Sequence, residues 1–513
     1  MTSWTSGYVA EIPYSQGVYR EMFPGILNFN LLLKQVQADA FADPAKPFTY
    51  AELGCGHGLT VTMIAAANPQ AVVYANDFNP SHIVGARKLA DAAKLKNIHF
   101  FDDSFEEFLN RDDLPAFDVV SLHGVYSWIS EENRKLIRDF LRRRLKPGGV
   151  CYASYNVLPG WAPAAPMRKL MIEIAEGEKA KPIPARIDSA IDLLNSLQKT
   201  NAGYFKANPL LGTRLEAMQK HSRNYLAHEY LNRDWTLFYH CDAAREMAEA
   251  KLTFAAPANA SDHVDVVNLT VDQQQILTDI ADPALRETVR DFCVNQQFRR
   301  DIFLKGLLNC SSQEQVNALL NQRFALTLPR AGLSLKGNFP VGEVNLQPTV
   351  YEPLADALAE RPQSIREMIS KEPLAGTGYQ KILQALTIMI SMGQVSPALA
   401  DKQAREAKPS CDRLNAVLLE RARTSADMPY LISPVTGSGV SADRFSQLML
   451  LAVRENKPDL ADFVWQILSA QNQRILKDGV TLETPEQNLV ELRNRAADFT
   501  GKQMPFLKQL GIA

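Results

Sequence analysis

Ala51-Glu-Leu-Gly-Cys-Gly-His-Gly58 is the stretch on which the fold of this 513-residue chain turns. Phe48-Thr-Tyr-Ala51 before it reads as a strand, and Leu59-Thr-Val-Thr-Met-Ile-Ala-Ala-Ala67 after it reads as a helix. A glycine-rich turn between strand and helix lets the backbone approach a ligand where side chains would collide. A second strand, Ala71-Val-Val-Tyr-Ala75, ends at Asn76 and Asp77. That is about twenty residues past the glycines, the place where an acidic side chain accepts hydrogen bonds from the hydroxyls of an adenosine ribose. The spacing is not that of a dinucleotide site, G-x-G-x-x-G. Gly58 comes one residue early, and Leu59 stands where the third glycine would be. The competing reading is a tight strand-to-helix turn with no ligand; the acidic strand end favours the ligand.

Outward from this turn the pattern repeats. Helical spacing over 81–94 leads to a third strand, Ile98-His-Phe-Phe101, that ends at Asp102-Asp-Ser104. Phe117-Asp-Val-Val-Ser-Leu122 is a fourth strand, short, apolar and bounded by turn residues. It runs into His123-Gly-Val-Tyr-Ser-Trp-Ile129 and then an amphipathic helix over 131–145, with Leu136, Ile137, Phe140 and Leu141 on one face. The basic run Arg142-Arg-Arg-Leu-Lys146 is read as cations complementing a helix C-terminus, not as a nucleic-acid patch, because Pro147-Gly-Gly149 ends the helix there. A fifth strand follows at Val150-Cys-Tyr-Ala-Ser154. Strands alternating with helices predict a parallel, doubly wound α/β sheet. Ligands in such sheets lie at the carboxyl ends of the strands. Those ends, at 54–58, 77, 102–104, 123–128 and 155–156, converge on one crevice.

The length allows about three domains. A net charge of −2 gives no reason to expect a nucleic-acid or anionic-membrane partner. Charged residues at 22% and hydrophobic residues at 46% describe an ordinary globular chain. No apolar run approaches the about twenty residues that span a bilayer, so no membrane insertion is expected. Met1-Thr-Ser-Trp-Thr-Ser-Gly7 has neither the basic start nor the apolar segment of a secretory signal. Cys55, Cys151, Cys241, Cys293, Cys310 and Cys411 form no C-x-x-C pair, which suggests neither a metal site nor a redox motif and fits a reducing cytoplasm.

The form E-x-G-x-G-x-G from Glu52 to Gly58, with Asp77 after the second strand and Leu145-Lys-Pro-Gly-Gly-Val150 before the fifth, resembles the class I S-adenosylmethionine-dependent methyltransferases. Four further segments sharpen the likeness: Tyr8-Val-Ala-Glu-Ile-Pro-Tyr-Ser15, Gly124-Val-Tyr-Ser-Trp128, Ser154-Tyr-Asn-Val-Leu-Pro-Gly-Trp161 and Tyr225-Leu-Ala-His-Glu-Tyr-Leu-Asn232. In this order they resemble bacterial methyltransferases with a methyltransferase regulatory domain, a group that includes rickettsial lysine methyltransferases acting on outer-membrane proteins. The likeness covers residues 1–300 and thins beyond. After Ser15 the chain departs from the common pattern, with Tyr19-Arg-Glu-Met-Phe-Pro-Gly25 where many relatives carry Thr-His-Pro.

The resemblance implies S-adenosylmethionine as cofactor and S-adenosylhomocysteine as product. It implies a cofactor site at Tyr14, Glu52, Gly54, Cys55, Gly56, Gly58, Asn76, Asp77, Phe78, Asp103, Ser104 and His123. Asp77 would take the ribose, Phe78 the adenine face and Asp103-Ser104 the adenine edge, though Asp and Ser also favour a plain solvated turn. Tyr126, Trp128 and Tyr155 are the candidate substrate-positioning residues, with Trp161 near them. Aromatic walls would desolvate a lysine amine or hold it by cation–π attraction; the alternative is that they only pack domains together. No general base and no metal ligand is assigned. His228-Glu229 lacks the second histidine of a helical metal motif.

The expected organisation is a Rossmann-like methyltransferase domain over 1–165, a mostly helical linker and regulatory domain over 166–330, and a mostly helical, winged-helix-like domain over 340–513. Helices between the first two either cover the crevice or pair with a second subunit in a homodimer. Phe254–Asn259 and Asp265–Asn268 read as extended, and 292–309 as helical. The helix expected at 381–390 carries one Lys and is otherwise apolar, so it reads as buried scaffold, not as a DNA-recognition helix. Leu431-Ile-Ser-Pro-Val-Thr-Gly-Ser-Gly439 reads as a loop able to approach the active-site mouth. The functional expectation is methyl transfer to protein lysine; the alternatives are a small-molecule methyltransferase and a non-catalytic, cofactor-binding regulator.

Overall fold

Short apolar runs, each stopped by a turn residue, pair side by side. In the computed structural model, which describes residues 7–9, 17–43 and 45–513, they form a seven-stranded sheet. Strands β1 (Thr49–Leu53), β2 (Val72–Asn76), β3 (Ile98–Phe101), β4 (Phe117–Leu122) and β5 (Leu145–Asn156) are parallel. Two strands from the middle of the chain complete the sheet, β6 (Leu252–Pro257) and β7 (Phe298–Lys305). The order is β3-β2-β1-β4-β5-β7-β6, with β7 antiparallel to both neighbours. After β1 the chain winds outward through β2 and β3, then returns to place β4 on the other side of β1. The crevice between the carboxyl ends of β1 and β4 is therefore the switch point.

Connecting helices pack on both faces. The helix Leu59–Ala67 is buried at all nine positions, because the sheet lies beneath it and the C-terminal helix Asp401–Arg421 lies on top. Ser410 Oγ donates to the Ala66 carbonyl at 2.7 Å across that contact. The C-terminal carbonyls of the helix Glu131–Arg144 are met by a distant cation, Lys305, whose Nζ reaches those of Arg142 and Leu145 at 2.6 and 2.7 Å, while Arg144 donates to the Leu114 carbonyl and Lys146 pairs with Asp118, each at 2.8 Å.

Several expectations are corrected. The middle region is not mostly helical throughout, since β6 and β7 belong to the main sheet. Within 292–309 only residues up to Val294 are helical, and Phe298–Lys305 is β7, where Arg299 and Asp301 alternate with Ile302 and Leu304 on opposite faces; buried ionic residues disguise the period of two. Asp265–Asn268 is a short helix, not a strand. The single winged-helix-like unit over 340–513 is divided between two cores. Helices Pro348–Glu360, Ile365–Ile369 and Tyr379–Ser391 and the strand Val395–Ala398 follow the expected order. Their sheet is completed by Arg323–Leu326, which precedes them in the chain. Most of Tyr379–Ser391 is buried there, as its composition suggests. From Asp401 onward the chain packs instead against the main sheet's helices. The hairpin Tyr430–Ser433 and Ser438–Ser441 packs on the helix Leu59–Ala67 and, at Gly439, against Val18, and none of its residues lines the crevice itself.

A smaller helical cluster, Ala165–Gly177, Ile183–Lys199, Leu210–Lys220 and Arg223–Tyr230, closes its own core around Met171, Ile191 and Leu215. It stands over the carboxyl end of β5. Among the described residues no helix is long and apolar enough to cross a membrane, and no group of His, Cys, Asp or Glu is placed to hold a metal ion.

Candidate active site

The glycine turn leaves β1 and bends sharply into its helix. Gly58 has φ +69°, and a Cβ there would lie 2.8 Å from Phe100 and 2.9 Å from Ala86, so glycine is required for close helix–strand approach. Gly56, at φ +53°, has no described residue within 4 Å of where its Cβ would be, and it borders open space. That space is a cavity lined by Glu52, Gly54, Cys55, Gly56, Gly58, Asp77, Phe78 and His123. It continues past Asn76, Asp103 and Ser104. Every expected cofactor residue among those described thus borders one crevice; Tyr14 lies outside the described residues.

Each side chain has a physical anchor. Asp77 Oδ2 accepts the Gly56 N–H at 2.9 Å, while Oδ1 accepts the Asn79 N–H at 2.9 Å and lies 3.1 Å from His82 Nδ1. Asn76 Nδ2 donates to the Asp103 carbonyl at 3.0 Å, and its buried Oδ1 has no partner among the described residues. Ser104 N-caps the helix Phe105–Leu109 in a capping box with Glu107, so its turn role and its place at the cavity coexist. Asp103 pairs with Arg111 at 3.1 Å. Glu52 is 3% exposed, and its Oε2 has no partner among the described residues. Burial, then the nearby Asp77 charge, pushes its carboxyl well above the usual range. His123 stacks on Tyr19 with ring centroids 3.7 Å apart, and its Nδ1 lies 2.8 Å from the Tyr152 hydroxyl. Burial, helped by the Arg300 charge, pushes His123 down to about 3, so the ring is neutral. Open space at Gly56 and orphaned acceptors on Glu52 and Asn76 suit a nucleoside-bearing amino acid, which brings donors to both ends of the crevice.

The crevice does not end at the cofactor residues. Tyr19, His123, Gly124, Trp128 and Glu229 border both this cavity and a second one. Asn156, Trp161, Arg214, Tyr225, Tyr230 and Phe298 also line the second cavity. Trp128 stacks on Trp235 at 6.2 Å, Trp235 meets Trp161 edge-on at 5.2 Å, and the Arg214 guanidinium lies 3.7 Å above the Trp161 ring.

Two substrate-positioning candidates are corrected. Tyr155 is 1% exposed and faces away, its hydroxyl held by Asp301 beside His240. Side chains alternate along β5, so Ser154 and Asn156 take the crevice side: Ser154 Oγ accepts the Gly124 N–H, and Asn156 lines the second cavity. Tyr126 points into the core, where its hydroxyl donates to Glu246 at 2.6 Å. Of the three, Trp128 borders the cavity.

Sequence reasoning about individual residues missed Tyr8, Tyr19, Glu229 and Asn232. Tyr8 packs edge-on against Phe78 at 5.6 Å, and Val9 donates its N–H to Asn232 Oδ1 at 2.9 Å. Tyr8 and Val9, the described residues of one likeness segment, therefore meet the segment 225–232 at the cavity, and the likeness itself was the available signal.

Comparison with known proteins agrees with this geometry. Residues 51–151 match a family model described as "Methyltransferase domain", and residues 222–305 one described as "Predicted methyltransferase regulatory domain". An uncharacterized protein of Synechocystis sp. is 45% identical over 511 residues, covering the whole of both chains. An uncharacterized protein of Rickettsia prowazekii is 28% identical over 53% of this chain and 47% of its own length. Among solved structures, PKMT2 from Rickettsia typhi in complex with AdoHcy superposes with a TM-score of 0.68 at 17% identity, over 98% of this chain and 99% of that one.

Proposed function

This chain belongs to the S-adenosylmethionine-dependent methyltransferases that carry a methyltransferase regulatory domain, and within that family we propose that its methyl acceptor is a protein lysine side chain. The observation that carries this reading is the joining of two cavities. The cofactor crevice opens past His123, Gly124 and Trp128 into a space walled by Trp161, Tyr225 and Tyr230. Aromatic walls suit an aliphatic stem with a cationic tip. The family likeness of the segments at 8–15 and 225–232, and the fold shared with PKMT2 of Rickettsia typhi, support the same acceptor.

In this reading Asp77 receives the ribose hydroxyls, Phe78 lies against the adenine, and Asn76 Oδ1 with Asp103-Ser104 meets its edge. Glu52 Oε2 receives the amino group of the methionine portion. When bound, S-adenosylmethionine supplies a methyl carbon on a sulfonium, an electrophile. The chain's task is positioning: holding an amine in line with that methyl lowers the entropic part of the barrier. His123 and Gly124 border the junction of the two cavities, and neutral His123 adds no positive charge to repel a cationic amine. Tyr19, stacked on His123, screens the junction from water.

The test is incubation of the purified protein with methyl-labelled S-adenosylmethionine and a cell extract. Label in protein bands supports the lysine reading. Label confined to the small-molecule fraction would overturn it in favour of a small-molecule acceptor.

A further inference from the structure

We propose that Glu229 receives the ammonium group of the acceptor and takes its proton. This rests on the lysine reading above. Glu229 is the one carboxylate among the described residues lining the second cavity, and it also borders the cofactor crevice, so it stands at the seam where the two reactants would meet. Its helix, Arg223–Tyr230, is N-capped by Ser222 and anchored by Arg168, which donates to the backbone carbonyls of Asn232 and Glu229.

No ion pair neutralises this carboxylate among the described residues. Arg168 is committed to those carbonyls and to the Trp235 ring at 4.5 Å. Arg214 is committed to the Tyr230 hydroxyl, Gln297 Oε1 and the Trp161 ring. A partly buried anion beside aromatic faces complements an ammonium ion, and the guanidinium over Trp161 shows that such a face accepts a cation.

Other charged or titratable groups lining the cavities with it include Tyr8 and Tyr19 from the N-terminal region, Tyr225, His228 and Tyr230 on its own helix, His123 and His221 across the cavities, and Asp77 and Glu52 in the cofactor crevice. Burial pushes the Glu229 carboxyl up to about 7, with Arg214 and then Arg168 pulling against it. A base poised near neutrality suits proton transfer from an amine that must be neutral to react. In the step, one N–H bond breaks and an O–H bond forms on Glu229. The freed nitrogen lone pair then bonds the methyl carbon as the C–S bond breaks, its electron pair leaving on sulfur as the thioether.

The experiment titrates the protein loaded with S-adenosylhomocysteine with n-hexylamine, a lysine side-chain mimic, between about pH 6 and pH 8. It compares wild type, Glu229→Gln and Glu229→Asp, and also follows the initial rate of label transfer into protein. Binding of S-adenosylhomocysteine, measured in parallel, reports that each variant is folded. Wild-type hexylamine affinity is expected to rise about tenfold over this range as the carboxylate ionises. Glu229→Gln should bind hexylamine weakly and without pH dependence, and should lose about a hundredfold or more in transfer rate. Glu229→Asp should keep the pH dependence. Folded Glu229→Gln with wild-type amine affinity, pH response and rate would overturn the assignment and leave the lysine reading standing. Failure of the wild type itself to bind hexylamine at any pH, with S-adenosylhomocysteine bound, would overturn the lysine reading.

Discussion

Asp77 carries two loads at once. It holds the Gly56 N–H that shapes the turn, and in the proposed reading it also receives the ribose from its place on the cavity wall. Asp77→Ala is expected to cost about 1–3 kcal/mol of S-adenosylhomocysteine affinity by calorimetry, the usual range for losing hydrogen bonds to a charged group; unchanged affinity would remove the ribose role. Glu52 is a cost to the empty fold. Its carboxyl titrates at 4.5 in an ordinary setting, and burial with Asp77 raises it well above that when folded. The stability it contributes is therefore complete below the ordinary value and is lost as pH rises through the raised one. Glu52→Gln should leave the Tm of the cofactor-free protein unchanged near about pH 4, raise it near about pH 8, and weaken S-adenosylhomocysteine binding. A Tm unchanged at both pH values would show that this carboxyl is not desolvated. Gly58→Ala, which meets Phe100 and Ala86, should destabilise the fold by about 1–3 kcal/mol in denaturant titrations; equal stability would mean the turn has room that these contacts deny.

At the scale of elements, local chemistry was readable and distant assembly was not. The turn at 54–58, Asp77 and the strand end at Asp103-Ser104 follow from the local strand and turn pattern, so spacing located them at the crevice; the Ser104 cap emerged only from the structure. Tyr155 failed because side chains alternate along a strand: an aromatic one position from Asn156 faces the other side. Glu229 is brought to the crevice from far along the chain, and only its family segment hinted at a role. β7 was misread because its charged residues are buried: Arg299 reaches Asp301, Asp291 and Glu287 at 2.7 to 2.9 Å. Burial pushes Asp301 up, but the Arg299 charge and the His240 hydrogen bond outweigh it and hold the carboxyl at about 2. Arg299→Met strands those carboxylates and should cost about 3–5 kcal/mol of unfolding free energy, because buried charges left unpaired are expensive. A loss below about 1 kcal/mol would mean that the cluster is solvated, as exposed ion pairs are.

Across the whole molecule, the C-terminal third acts as the second wall of the helix that carries the glycine turn. Cys411 and Ser410 contact the Ala66 carbonyl, and Arg413 donates to the Ala93 carbonyl at 3.0 Å, so residues from 401 onward complete the core of the cofactor domain. A chain ending at residue 400 would expose the buried face of Leu59–Ala67. It should lose cooperative unfolding and S-adenosylhomocysteine binding together; a truncated protein that binds like the full chain would show that the C-terminal region is dispensable to the site. The proposed acceptor is a lysine amine, and amino-acid analysis of protein labelled from methyl-labelled S-adenosylmethionine tests that proposal most directly. After complete acid hydrolysis the label should co-elute with methylated lysine; label released as methanol from alkali-labile esters, or recovered on another amino acid, would contradict the account.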